Sequence, residues 1–415
     1  MRFAMIRESN GYRLYKLIGK KSVNRAMRLL NGYYKYKKVK YNKVLFMTHK
    51  GKSLYSGNMK FIAQEILKQN LHCQICWYIK STTAKRLKDT KKNNYGFPKQ
   101  IKVVTSKAGL LKSAYTANVI VTDNHFPKVL LKFFKKKPNQ LVINTWHGSL
   151  GIKKIGMEGH GFNKTTKKKF SKLLNLIDAM ISNCEWESNV YRGSIGFSGE
   201  IQKLGHPRND IFFLSKDENA RIKRKIYENL QIPADSYLIL IAPTYRCRGT
   251  DEEYKKTLDY DFDNIKNAFK KRFNKTPIIA LRLHPELKKQ RVADCFKEGI
   301  IDATSYPDIQ ELLVASDAMI TDYSSCIFDF LFTRKPGFIF APDRKYYEMA
   351  RGLYFPLEES PFPVAEDNET LCKNIVNFDN DFYQKRVEEF LKSRNVVDDG
   401  HASERLVELI KEHLK

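Results

Sequence analysis

The sequence predicts an α/β protein of two doubly wound domains facing one cleft, with a basic amphipathic segment ahead of them. Three observations carry this. Short apolar, β-branched runs alternate with helical stretches along most of the chain, the rhythm of parallel βαβ units. The rhythm restarts once, near GHPRND (Gly205 to Asp210). In both halves the apolar runs end in polar residues, and ligands of open α/β sheets bind at the carboxyl ends of strands. At 415 residues the chain has room for two domains, at roughly 100 to 200 residues each. The expected division is a basic segment over 1–42, a first domain over 43–204, a second over 205–390, and a C-terminal helix over 391–415 packing back across the pair.

The elements follow in order. Between Met1 and Lys43 there are 13 Lys or Arg and one acid, Glu8. Tyr15 and Ile18, then Val23, Met27, Leu30 and Tyr34, recur at helical spacing. That pattern fits a helix lying in the headgroup layer of an anionic bilayer, and equally a helix packed on its own domain. Val44 to Gly51 reads as a first strand with its loop, Asn58 to Lys68 as a helix, and Cys73 to Ile79 as a second strand. Ile101 to Thr105 is a third strand, Leu110 to Ala117 a helix, and ANVIVTDN a strand ending in Asp123 and Asn124. LVINTWHGSLGIKKIG, Leu141 to Gly156, is a strand that stops on a polar shelf and presents Trp146, His147, Gly148 and the pair Lys153 and Lys154. The glycine-spaced, basic stretch from Gly156 to Phe170 reads as a mobile loop. AMISNCEWE is another strand running into a helix.

In the second half a charged helix leads to Pro233. YLILIAPTYR is then a strand delivering Thr244, Tyr245 and Arg246, and Ile278 to Leu283 a strand delivering Arg282, His284, Pro285 and Glu286. A helix closes over Leu312 to Ser316, AMITDYSSCIFDFLF runs strand, turn and helix, and GFIFAPD is a further strand. A charged helix over Ser403 to Leu414 ends the chain.

The net charge of +29, from 74 basic and 45 acidic residues, favours an anionic partner such as lipid, nucleic acid or a phosphorylated substrate. The basic residues cluster without an RNP or helix-turn-helix pattern, so no nucleic acid is expected. No apolar run approaches the ~18 residues of a spanning helix. The first residues lack the apolar core of a secretory signal, so export is not expected. Cys73 and Cys76 have no second pair to complete a tetrahedral metal site and read as core thiols in a reducing compartment.

Several residues suit chemistry. His147 and His284 both end strands, and Pro285 fixes the backbone after the second. With no HExxH in the chain, general base and anion stabiliser suit them better than zinc ligand; by itself His147 reads first as a packed core histidine. In TDYSS, Asp322 precedes Ser324 and Ser325 at a helix start, which places hydroxyls and free N–H groups for a phosphate, or simply caps the helix. Arg208, Arg246 and Arg282 offer forked donors for phosphate oxygens; Arg248 reads as a solvated charge. GxxxxGK[ST], a strand-linked GxGxxG and GxSxG are all missing, which argues against P-loop, dinucleotide and α/β-hydrolase chemistry.

Taken together, NTWHGSLGIKKIG, GHPRND, APTYR, LRLHPE, ITDYSSCIFDF, RGLYF and DGHASERLVELI resemble the CDP-glycerol glycerophosphotransferase family of teichoic acid and capsule synthesis, in order over residues 43 to 412. The resemblance implies a GT-B fold of two Rossmann-like domains, the first on the acceptor side and the second binding the CDP donor. It implies transfer of glycerol phosphate from CDP-glycerol to a membrane, undecaprenyl-type lipid-linked acceptor with release of CMP, at the cytoplasmic face of the membrane. By motif, His147 is the base and His284 stabilises the donor diphosphate. Asp322, Ser324 and Ser325 bind that diphosphate; Arg208, Thr244 and Arg282 line the cytidine side. Trp146, Gly148, Arg246 and Pro285 complete the expected binding set. No cofactor is implied and no protein metal site is evident, though a divalent cation is compatible. Ser149, Leu150 and Gly151 replace the usual WHGTPLK continuation, and Cys247 an acid. The lack of a long extra N-terminal domain leans toward a priming enzyme. CDP-ribitol is the alternative donor, and a GT-B glycosyltransferase using a nucleotide sugar the alternative class.

Overall fold

The computed structural model describes residues 22–48, 54–86, 96–123, 126–148, 151–159, 164–244, 246, 257–283, 296 and 298–414. Two all-parallel sheets form, as the alternation predicts. The first contains β1 (Lys40–Met47), β2 (Gln74–Tyr78), β3 (Lys102–Val104), β4 (Ala117–Thr122), β5 (Leu141–Asn144), β6 (Ala179–Ser182) and β7 (Glu200–Lys203), in the order β3-β2-β1-β4-β5-β6-β7. The second contains β8 (Ser236–Ile241), β9 (Thr276–Leu281), β10 (Ile300–Asp302), β11 (Ala318–Thr321), β12 (Gly337–Phe340) and β13 (Val364–Ala365), ordered β10-β9-β8-β11-β12-β13. Each order reverses between its first and fourth strands, β1 and β4 or β8 and β11. A crevice therefore opens at the carboxyl ends of those strands.

Central strands are buried on both faces, which is why they read as continuous apolar runs: Val44 to Met47 and Leu238 to Ile241 are fully buried. The C-terminal helix Ala402–Leu414 returns to the first sheet, where Leu406, Val407 and Ile410 join the core around Val44, Phe46 and Trp77. Its first turn is anchored by Asp210, which accepts from Ala402 N at 3.0 Å and Ser403 N at 2.7 Å. Half-buried Asp398 accepts from His206 N, Asn183 and Asn209. GHPRND is thus largely a joint that ties the chain's end to the crossing between the sheets.

One expectation is corrected. The stretch Gly156 to Phe170 is not simply a loop: a 3-10 turn spans Gly156–Glu158 and a helix runs Lys164–Leu174. Phe170, Leu173 and Leu174 supply an i, i+3, i+4 face that seats on the first core, on the sheet face of Leu45 and Met47 opposite that of Val44 and Phe46, and this short apolar stripe is outweighed by lysines in the sequence. Ahead of β1, residues 22–35 are helical, while Tyr15 and Ile18 lie outside the described residues.

The sheets are joined by a buried ionic knot. Lys60, on the helix Gly57–Lys68, reaches Asp308 at 2.6 Å and Glu311 at 2.7 Å beside the helix Ile309–Ala315. Burial pushes the Glu311 carboxyl up, but Lys225, Lys60 and Tyr306 outweigh it and hold it at about 2. A folded-state value below the ordinary 4.5 means the unfolded chain binds the proton first, so this stabilisation is present above about pH 4.5 and is lost as pH falls toward 2. Melting temperature measured against pH is expected to fall across that window, and Glu311→Gln to flatten the fall; an unchanged acid limb in the variant contradicts the assignment.

Candidate active site

The first wall of the crevice starts where β5 stops. Thr145 N still donates to Thr122 O at 2.8 Å, continuing the ladder, and then Trp146 takes φ +53. Positive φ is uncommon for a bulky residue and persists only when its surroundings hold it. Here Asn144 Oδ1 accepts from Trp146 N at 2.8 Å, and Asn58 Nδ2 donates to Thr145 O at 3.3 Å and Trp146 O at 3.2 Å. Asn58 Oδ1 in turn accepts from Arg208 N at 3.1 Å.

The turn presents His147 as an exposed side chain at the cleft, not as a packed core histidine. Its Nδ1 lies 2.9 Å from Asp123 O. A carbonyl can only accept, so in the neutral ring Nδ1 carries the hydrogen and Nε2 is the basic nitrogen. Gly148 faces the other wall closely: a Cβ there would meet Ser325 Oγ at 2.9 Å.

The second wall is built from the ends of β8 and β11. Asp322, 2% exposed, accepts from Thr244 N at 2.9 Å and pairs with Arg246 Nη1 at 2.8 Å. Arg246 also forks onto Asp343 at 2.8 and 2.9 Å and lies over Tyr323 and Tyr347, whose rings stack at 3.8 Å. Asp322 and Arg246 are thus paired with one another, and Arg246 with Asp343 as well, so that together they shape the shelf. Ser324 and Ser325 do face the cleft. The following helix, Cys326–Phe330, is only five residues long, and Ser325 makes no side-chain capping bond, so the simple cap reading does not describe it.

Arg208 lines the cleft as well. It is 4% exposed and forked onto Asp329 at 2.9 and 3.0 Å, leaving Nη1 without a partner. Arg282 is paired with carbonyls instead of a carboxylate among the described residues: its Nη1 donates to Ala303 O and Tyr306 O, and burial lowers its pKa while Asp308 opposes this. Thr244 contributes a buried Oγ1 with no partner. His284 and Pro285 lie outside the described residues, as do Tyr245, Arg248, Ser149 and Leu150.

Trp146, His147, Gly57, Asn58 and Asp123 from one wall, and Thr244, Arg282, Ser324 and Ser325 from the other, line a cleft of about 650 Å³. Among the described residues no group of three or more His, Cys, Asp or Glu could hold a metal ion. Sequence reasoning missed Asn58, Asp343 and Asp329. Only Asp329 carried a signal, a carboxylate inside the apolar run CIFDFLF. Asn58 sits at a helix start like many others.

Two Rossmann-type sheets whose crevices face each other, with a base on one wall and cations and hydroxyls on the other, define a GT-B-like transferase architecture. Residues 31–412 match the family described as CDP-glycerol:poly(glycerophosphate) glycerophosphotransferase, and the chain belongs to it. It is 28% identical over 391 residues to a teichoic acid poly(glycerol phosphate) polymerase of Staphylococcus epidermidis, covering 91% of this chain and 51% of the relative. It is 26% identical over 377 residues to the teichoic acid ribitol-phosphate polymerase TarK of Staphylococcus aureus, covering 89% and 68%. The chain thus spans about half the length of the first relative and about two thirds of the second. Among solved structures it is similar to the wall teichoic acid polymerase TagF, with a TM-score of 0.77, 25% identity and 98% of both chains covered.

Asn58 is the keystone of the strained turn. Asn58→Ala removes the partner of the Arg208 amide and a donor from each of Thr145 O and Trp146 O, the latter keeping Thr145 Oγ1, at about 1–3 kcal/mol for such a loss. Chemical denaturation is expected to show a loss of about 2 kcal/mol; a change within about 0.5 kcal/mol, the size of an ordinary surface substitution, contradicts this role.

Proposed function

We propose that the chain transfers glycerol phosphate from CDP-glycerol to a hydroxyl of a lipid-linked glycan or polyol-phosphate acceptor, releasing CMP, in teichoic acid or capsular polymer synthesis. The observation that carries this reading is His147: exposed at the cleft, on a strained turn, with its tautomer set by Asp123 O. In the proposed step Nε2 takes the proton of the acceptor hydroxyl. The acceptor oxygen forms its bond to the phosphorus that bears glycerol, and the bond from that phosphorus to the oxygen of CMP breaks. CMP departs with the electron pair. Such transfer is mainly positioning and charge neutralisation, which suits a cleft with Arg282 and two serines and needs no covalent nucleophile. CDP-ribitol is the second donor to test, because TarK, a ribitol-phosphate polymerase by name, matches over most of the chain.

The acceptor reading is supported by the helix over residues 22–35. Met27, Leu30 and Tyr34 pack on the first core, while Leu29 (72% exposed), Tyr33 and Tyr36 remain in solvent with exposed Arg25, Arg28, Lys35, Lys37 and Lys38 around them. Both expectations for this helix thus have a face: one side packs on the domain, the other is basic and aromatic as at a headgroup layer. No helix among the described residues is long and apolar enough to cross a membrane; peripheral attachment to the cytoplasmic face is part of the proposal and rests on this basic, aromatic face.

His147→Ala is expected to lower CMP release from CDP-glycerol with acceptor present by about 100-fold or more, the scale of general base catalysis, with melting temperature unchanged. Turnover near that of the unaltered chain removes His147 as the base. Leu29→Glu with Tyr36→Glu is expected to reduce cosedimentation with vesicles rich in anionic lipid; undiminished sedimentation rules out this face.

A further inference from the structure

The cations lining the cleft fall into two groups. Arg208 is neutralised by Asp329, and Arg246 by Asp322 and Asp343. Lys153 and Arg351 line the same cleft, yet among the described residues neither side chain makes an ion pair or a hydrogen bond.

A strap between the domains brings them there. Ile152 to Lys154, from the first half of the chain, lies antiparallel to Gly352 to Tyr354 from the second. Lys153 is bridged to Leu353, Lys154 N donates to Gly352 O at 3.1 Å, and Tyr354 N donates to Ile152 O at 2.7 Å. Ile152, 1% exposed, is buried in the core of the second domain. On the other side Tyr354 OH donates to Ser194 Oγ at 2.7 Å and accepts from Ile155 N at 3.2 Å. Gly156 fixes the end of the strap: at φ +57 a Cβ would stand 2.1 Å from Ser194 O, so only glycine closes this loop.

Lys153 therefore arrives from one domain, and Arg351, the last residue of the helix Arg344–Arg351, from the other. Burial lowers the pKa of the Lys153 amine; Asp322 opposes this and Arg351 adds to it. Asp322 is already occupied by Arg246 and Thr244 N, so it does not serve as a dedicated counter-ion. Two half-buried cations on one cleft, each without a carboxylate partner among the described residues, favour an anion that joins them. Beside them are the hydroxyls of Ser324 and Ser325 and, without a hydrogen-bond partner among the described residues, Thr244 Oγ1 and Arg208 Nη1.

We infer that Lys153 and Arg351 form a two-domain clamp for the diphosphate of the donor, completed by the strap Ile152 to Lys154, so that a residue of the acceptor-side domain binds the donor's phosphates. This rests on the CDP-alditol reading above. It also makes donor binding and closure of the cleft one event, since Lys153 reaches the serine turn only while the strap is paired.

The test is calorimetric titration of the full chain and its Lys153→Met, Lys153→Arg and Arg351→Met variants with cytidine, CMP, CDP-glycerol, CDP-ribitol and a short glycerol phosphate oligomer, with melting temperatures as a check on folding. Lys153→Met and Arg351→Met are each expected to weaken CDP-alditol binding by about 10- to 100-fold, as for loss of one charge-assisted contact. CMP should weaken less and cytidine hardly at all, while Lys153→Arg stays within about 3-fold of the unaltered chain, because arginine keeps the charge. Unaltered CDP-alditol affinity in Lys153→Met overturns the clamp alone. So does an equal loss for cytidine, or a loss confined to the oligomer, which would move the cations to the acceptor. Absence of CDP-glycerol and CDP-ribitol binding by the unaltered chain overturns the functional reading and the clamp together.

Discussion

The left-handed backbone at Trp146 is the constraint on which the site depends. A strand that continued normally past Asn144 would carry its next side chains along the sheet rather than into the crevice. The turn is held by two asparagine side chains, and the second, Asn58, is itself held by the Arg208 amide. Arg208, beyond the restart at Gly205, is forked onto Asp329. The orientation of His147 is therefore tied through four residues to the contact between the domains. Strain of about 1–3 kcal/mol at such a residue is tolerable only where the surroundings over-determine it.

The same contact explains which charges are spent and which are kept. Carboxylates at Asp329, Asp322 and Asp343 neutralise the two arginines that shape the cleft, while Lys153, Arg282 and Arg351 face it without a carboxylate within ion-pair distance among the described residues. A basic cleft is thus produced locally by unequal pairing. The overall charge of +29 says little about it, since much of that excess lies on the helix and segment ahead of β1.

Much of the fold was legible because central parallel strands are buried on both faces. Val44 to Met47, Val119 to Val121 and Leu238 to Ile241 announce themselves as unbroken apolar runs. Edge strands do not: Glu200–Lys203 and Ile300–Asp302 are short, half polar and half exposed, and neither stood out. At the site, strand ends located His147, Thr244, Arg282 and the two serines. They could not show that Arg246 and Asp322 face each other, because that pairing needs β8 and β11 to be neighbours across nearly 80 residues of chain. The positive φ at Trp146 and the cross-domain strap were equally invisible, since no local residue pattern encodes either. RGLYF, a motif without an evident role, is the partner strand of that strap.

The central claim is that this cleft joins an acceptor oxygen to the alditol-bearing phosphorus of a CDP-alditol. It is tested most directly by phosphorus NMR and mass spectrometry on a reaction of the purified chain with CDP-glycerol and a lipid-linked disaccharide. The account predicts that the diphosphate signals disappear as CMP and a new phosphodiester appear, and that the lipid product gains whole glycerol phosphate units. Release of a nucleoside diphosphate, or an acceptor whose mass does not change while CDP-glycerol is consumed, contradicts it.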